Sequence, residues 1–175
     1  NDYDESIKLD SQDAMTFNSR GHAKSNLGCD EEAIKDYDES IKLYSEDPEV
    51  FNNRGASKYN LDRNKEAIKD YDEAIKLDSK NAVFFNNRGA AKDHLMRHQE
   101  AIKDYDESIK LGSQDAKVFH NRGIAKSNLG RYEEAINDYD ESIKLDSQDA
   151  MTFNSRGHAK SNLGCDEEAI KDYDE

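Results

Sequence analysis

Tryptophan is absent, proline occurs once and cysteine twice in these 175 residues, of which only 34% are hydrophobic. No stretch approaches the ~20 consecutive apolar residues that a bilayer-spanning helix requires. Cations are in deficit too: 25 Lys and Arg stand against 39 Asp and Glu, a net charge of −14. Nucleic-acid binding by phosphate neutralisation needs clustered Lys and Arg, so neither that partner nor an anionic membrane is expected. The two cysteines, Cys29 and Cys165, hold the same position four repeats apart. Stacked repeats would separate them well beyond the roughly 7 Å Cα limit for a disulfide. Free thiols in a reducing, cytoplasmic setting are therefore expected. No leader segment is visible, but the chain opens in mid-helix at Asn1, so any leader would lie outside it.

A chain that is 37% charged would stay disordered unless its few apolar groups were shared. Here they are periodic. The stretch Ala101–Leu111, AIKDYDESIKL, recurs almost letter for letter at Ala33–Leu43, Ala67–Leu77 and Ala135–Leu145, with truncated ends at Asn1–Leu9 and Ala169–Glu175. The period is 34 residues. Ala33, Ile34, Tyr37, Ser40 and Ile41 fall at helical spacing on one narrow apolar face. Lys35, Asp38, Glu39 and Lys42 lie opposite. Glu31–Lys35 and Asp38–Lys42 place the acid four residues before the base, each pair worth about 0.2–0.5 kcal/mol. Such a helix cannot bury its stripe alone, but stacked copies make a continuous core.

A second helix fills each period, here from about Met15 to Leu27, with Phe17, Gly21, Ala23 and Leu27 as its small and apolar positions. Gly28–Asp30 turns the chain into the next copy of the motif. The resulting units are 14–47, 48–81, 82–115, 116–149 and a shortened 150–175, with 1–13 as the end of an earlier one. Asp47–Pro48–Glu49 reads as an N-cap, a proline at the first helical position and an acid in the first turn. We call the first helix of each unit A and the AIKDYDE helix B. Gly21, Gly55, Gly89, Gly123 and Gly157 recur inside helix A, where glycine costs about 1 kcal/mol relative to alanine. Recurrence at that cost predicts a close helix approach, most simply to the alanine that opens each B helix.

Phe51, Gly55, Leu61, Ala67, Tyr71 and Leu77, at fixed offsets over 34 residues, resemble the tetratricopeptide repeat, and the resemblance extends over essentially the whole chain. It implies an all-α fold: antiparallel helix pairs stacked into a right-handed solenoid whose concave groove is lined by A helices and binds peptides or partner proteins. The chain departs from the family pattern in three places. Ser11, Ser45, Ser79, Ser113 and Ser147 stand where the family favours proline. Arg20, Arg54, Arg88, Arg122 and Arg156 replace its usual leucine before the glycine. The aromatic near the start of helix B survives only as Tyr132, with Asp30, Asn64, His98 and Asp166 elsewhere. Residues 1–39 and 137–175 are identical, which independent drift would not leave. This looks like a higher-order duplication, the chain being a window on a longer array without capping repeats.

Each arginine faces the B helix carrying Asp36, Asp70, Asp104, Asp138 or Asp172, and a structural Arg–Asp pair within each repeat is predicted. The competing reading is an arginine row that grips a carboxylate ligand. The groove is expected where the copies differ along helix A: Met15/Glu49/Val83/Lys117, His22/Ala56/Ala90/Ile124 and Ser25/Tyr59/Asp93/Ser127. Between them lie Asn18–Ser19, Asn52–Asn53, Asn86–Asn87 and His120–Asn121, with Asn154 the counterpart of Asn18. An asparagine offers both a donor and an acceptor, so such a row can hydrogen-bond an extended peptide backbone. Asn53, Asn87 and Asn121 resemble the asparagine ladders of some superhelical tetratricopeptide arrays. The family's carboxylate clamp fits poorly, since asparagine or His120 stands where it needs lysine, and Lys117 with Asn121 does not restore it.

His94 and His98 are four apart but straddle the A–B turn, so no metal is expected. The DYDES stretch mimics the start of a calcium loop but carries Ile41 where glycine is required. No GxGxxG, P-loop or Ser–His–Asp set occurs. The reading is a non-catalytic scaffold without cofactor, holding an extended, neutral or basic peptide; the net charge favours encounter with cations. The alternative is an array that self-associates end to end through Ala169–Glu175 and Asn1–Leu9.

Overall fold

The computed structural model describes residues 13–175, and among these all regular structure is helical. The A helices are α1 (Ala14–Asn26), α3 (Pro48–Asn60), α5 (Ala82–His94), α7 (Ala116–Asn128) and α9 (Ala150–Asn162). The B helices are α2 (Asp30–Leu43), α4 (Asn64–Leu77), α6 (His98–Lys110), α8 (Tyr132–Leu145) and α10 (Asp166–Tyr173). The expected Asn1–Leu9 segment and the Ser11 turn lie outside the described residues. The chain divides into two compact units, one running to Ala91 and the other from Lys92 to Glu175.

Helix starts follow the sequence closely. Asp47 accepts from the Glu49 amide at 3.0 Å, with Pro48 in the first turn. The same cap recurs 34 residues apart: Asp13 on Met15, Asn81 on Val83, Asp115 on Lys117 and Asp149 on Met151. Each satisfies one of the orphan N–H groups of the first helical turn. The A–B turns all use one left-handed residue. It is Gly28, Gly130 and Gly164, but Asp62 (φ 58°) and Met96 (φ 59°) in the second and third repeats. Behind each, the next amide reaches back five residues, as Cys29 N to Lys24 O at 2.9 Å, which closes the helix end. Leu27 belongs to this turn rather than to the A-helix stripe. It is 80% exposed, which corrects its placement among the packing positions.

Within a repeat the two helices run antiparallel, since partners rise in number on one as they fall on the other. Ala14 O accepts from Ser40 Oγ at 2.8 Å, while Arg20 and Gly21 meet Asp36 and Tyr37. In the first unit α2 also packs on α3, and Ala33, Tyr37 and Val50 form a core with Ile41; Phe51, Ala74 and Phe84 form the next. In the second unit Ala101, Ile102, Tyr105, Val118 and Ala125 cluster, followed by Ala135, Tyr139 and Ala159. Each core joins a B helix to an A helix, so neighbouring repeats share their apolar faces.

The helix A glycines do mark close approaches, but to tyrosine rather than alanine. A Cβ built on Gly55 would lie 2.8 Å from Tyr71 Cε1, and Gly21, Gly123 and Gly157 meet Tyr37, Tyr139 and Tyr173 in the same way. The alanine opening helix B is small enough to sit under the core, whereas the ring four residues later needs a gap beside it. Two in-helix ion pairs also differ from expectation. Asp38 reaches Arg54 of the next A helix at 2.7 Å and Glu31 pairs with Arg63, while Lys42 takes Glu39. The half-buried arginine is a better partner than a lysine in open solvent. For Gly55→Ala, the buried Tyr71 ring has no room to retreat, and a loss of about 1–3 kcal/mol is expected. A denaturation midpoint unchanged from the parent would disprove the ring contact.

Candidate functional site

The A helices carry two features beyond their packing residues: the arginine row and the face that varies between repeats. At the row, an A helix lies between the B helices of its own and the preceding repeat. Arg122 Nη2 and Nε hold both oxygens of Asp138 at 2.6 and 3.0 Å, while Nη1 donates to Asp106 of the previous repeat at 2.7 Å. Its guanidinium lies 5.7 Å over the Phe119 ring, a favourable cation–π distance. Lys126, one turn on, adds a contact to Asp138 at 2.7 Å. Asp138 is 3% exposed, and an isolated carboxylate there would be prohibitively costly.

The same constellation recurs. Arg54 holds Asp70 and Asp38, with Lys58 on Asp70, and Arg156 holds Asp172 and Asp140, with Lys160 on Asp172. Arg20 and Lys24 share Asp36. Arg88 donates to Asp72 and Lys92 binds Asp104; Arg88 and Asp104 themselves fall in different units. Burial would depress the guanidinium pKa of Arg54, Arg122 and Arg156, but their acids outweigh it and the net direction is upward. For Asp172, burial pushes up while Arg156 and Lys160 pull the carboxyl below its usual range. In Arg54, Arg122 and Arg156 every guanidinium nitrogen is engaged inside the protein. The lysines and the second set of aspartates were missed in sequence, though their recurrence in every copy was a readable signal. Arg54→Ala would strand Asp70 against Lys58 alone, at an expected cost of about 3–5 kcal/mol. Unchanged urea stability in this variant would refute a structural role for the row.

The variable face differs between the two units. In the first, the asparagines bond to one another from helix to helix. Asn53 Nδ2 donates to Asn18 Oδ1 at 3.3 Å, and Asn87 Nδ2 to Asn52 Oδ1 at 2.9 Å. Asn52 is buried, and the Asn86 Oδ1 is a buried acceptor without a partner. In the second unit the corresponding side chain is His120, whose Nδ1 lies 2.7 Å from Thr152 Oγ1. The Thr152 hydroxyl donates to Asp149 at 2.6 Å, so His120 Nδ1 carries the hydrogen that bonds it. Burial lowers the His120 pKa, partly offset by Asp149.

Two depressions open beside this network, both between α7 and α9. One, of about 380 Å³, is bounded by Lys117, His120, Asn121, Asp146, Asp149 and Met151. The other, of about 330 Å³, sits further along α7 over buried Tyr139 and Ala159, with Ile124 and Tyr132 half-buried beside them. Ser127, Asn128, Ser155, His158 and Asn162 surround it. Asn154 is exposed on the same helix as Ser155 and His158. Of the remaining candidates, His98 is held by Asp93 at 2.6 Å, and Cys29 and Cys165 are free and exposed. Among the described residues no helix is long and apolar enough to cross a membrane.

The family model of the tetratricopeptide repeat matches residues 48–81 and 116–149. No curated protein matches the chain. Among solved structures, MamA is 23% identical with a TM-score of 0.81, over 88% of this chain and 90% of that one. MamA from Desulfovibrio magneticus RS-1 is 18% identical with a TM-score of 0.85, over 92% and 91%. YrrB, described as a TPR protein with an unusual peptide-binding site, is 20% identical with a TM-score of 0.80, over 98% and 89%. At these identities the likeness is one of fold.

Proposed function

The chain carries tetratricopeptide repeats, and from that premise we propose that it is a non-catalytic scaffold holding an extended, neutral or basic segment of a partner protein on its A-helix face. The observation that carries this reading is the pair of depressions between α7 and α9, which lie where the repeats differ from one another. Lys117, Asn121 and Asn154 are the polar contacts offered to a peptide backbone, and the interlinked Asn18, Asn53, Asn52 and Asn87 keep the first unit's A helices in register. The peptide-binding site for which YrrB is described supports the same use of the fold. A net charge of −14 accelerates encounter with cationic segments and makes it sensitive to salt. Two exposed thiols suit a reducing compartment.

Panning a random dodecapeptide library on the chain supplies test ligands. Binding is expected to shift amide resonances of α7 and α9, and Lys117→Ala/Asn121→Ala/Asn154→Ala is expected to weaken it at least tenfold. Shifts confined to the outer faces of the B helices would sink the proposal.

A further inference from the structure

Given that the A-helix face holds a peptide, the depression over Tyr139 specifies what that peptide carries. We propose that it is a subsite for one aromatic side chain, on a segment with a basic residue about three positions away. Its floor is aromatic and aliphatic, made by Tyr132, Tyr139 and Ile124, and its edge carries the hydrogen-bonding groups of Asn128, His158 and Asn162. No Asp, Glu, Lys or Arg lines it, in a protein where 37% of residues are charged. A volume of about 330 Å³ is at the lower end of ligand pockets, which run from about 300 to 1,000 Å³. It suits a single ring rather than a larger ligand. Aromatic pairs add about 0.5–1.5 kcal/mol beyond the area they bury, so a ring against Tyr132 gains more than an aliphatic chain of equal size.

The subsite is particular to this repeat. The position of Tyr132 is Asp30, Asn64, His98 and Asp166 in the other copies, and that of Ile124 is His22, Ala56, Ala90 and His158. The pocket's wall therefore exists once. About two turns back along α7, the second depression presents Asp146 and Asp149, of which Asp146 is exposed. The residues bounding the two are seven or eight positions apart on the helix, about 10–12 Å at 1.5 Å per residue. An extended segment covers that distance in about three residues at ~3.3 Å each. Asp149 is engaged by the Met151 amide and the Thr152 hydroxyl, so it is exposed Asp146, together with the overall charge and against the single cation Lys117 of that depression, that favours lysine or arginine at the second position.

Two variants borrowed from the chain's own repeats test the subsite while keeping the fold. Tyr132→Asn installs the residue found at Asn64, and Ser127→Tyr fills the pocket with the side chain found at Tyr59. Thermal melts are expected to remain near the parent's. The library binders are expected to be enriched in an aromatic three positions from a Lys or Arg, and replacing that aromatic with serine is expected to cost at least tenfold in affinity. Both protein variants are expected to lose at least tenfold by fluorescence polarisation. Binders without aromatic enrichment, or binding indifferent to both variants but weakened by the Lys117/Asn121/Asn154 triple variant, would overturn the subsite and leave the A-helix face standing. Indifference to all three, or no binders at all, would overturn the face as well.

Discussion

The structure rests on a buried carboxylate that cannot be left alone. Asp36, Asp70, Asp138 and Asp172 are each under a tenth exposed, and each is held by an arginine and a lysine from helix A. Removing one partner from such a pair costs far more than forming the pair gains over an apolar equivalent. The pair therefore acts less as a source of net stability than as a constraint on register. Helix A must present Arg and Lys one turn apart to the B helix of its own repeat. The same arginine must also reach an aspartate of the preceding B helix, as Arg54 does with Asp38 and Arg122 with Asp106. One side chain thus sets the positions of three helices.

That constraint matters because the apolar part of each repeat is small. The cores are built from alanine, isoleucine, valine, phenylalanine and one tyrosine ring laid against a glycine. Narrow stripes of this kind would tolerate sliding between helices. The charged clusters penalise a slip by exposing an unpaired acid to the interior. With both long faces of helix A occupied, one by its own B helix and one by the preceding repeat, what remains free is the face where the copies differ. Chemical variety there costs the fold little, and the second unit carries its two depressions there.

Much of this was legible in the residues themselves. The period, the helix pairs and the caps follow from local rules: apolar spacing, an aspartate before a first turn, a residue able to turn left-handed. The Arg–Asp pairing was readable because both members recur at a separation of 16 residues. Less was legible where two helices compete for one group. Asp38 has Lys42 on its own helix, yet bonds to Arg54 because that arginine is already half-buried beside it. The asparagine row looked like an open ladder, but in the first unit the amide of one helix finds the amide of the next, and Asn52 is lost to solvent. Leu27 has the right spacing for the stripe, but the helix ends one residue before it.

By itself the sequence determined that the chain is a tandem helical array, where each helix begins, and that an arginine of helix A pairs with an aspartate of its own B helix, because each of these depends on residues at fixed separations. Only the tertiary structure decided that the glycines make room for tyrosine and that the acids bridge successive repeats. It also decided that Tyr132 and Tyr139, spaced seven apart on α8, share a pocket with side chains of α7 and α9. These arrangements depend on the side-chain volume left between three helices, and no periodicity along one chain encodes that volume.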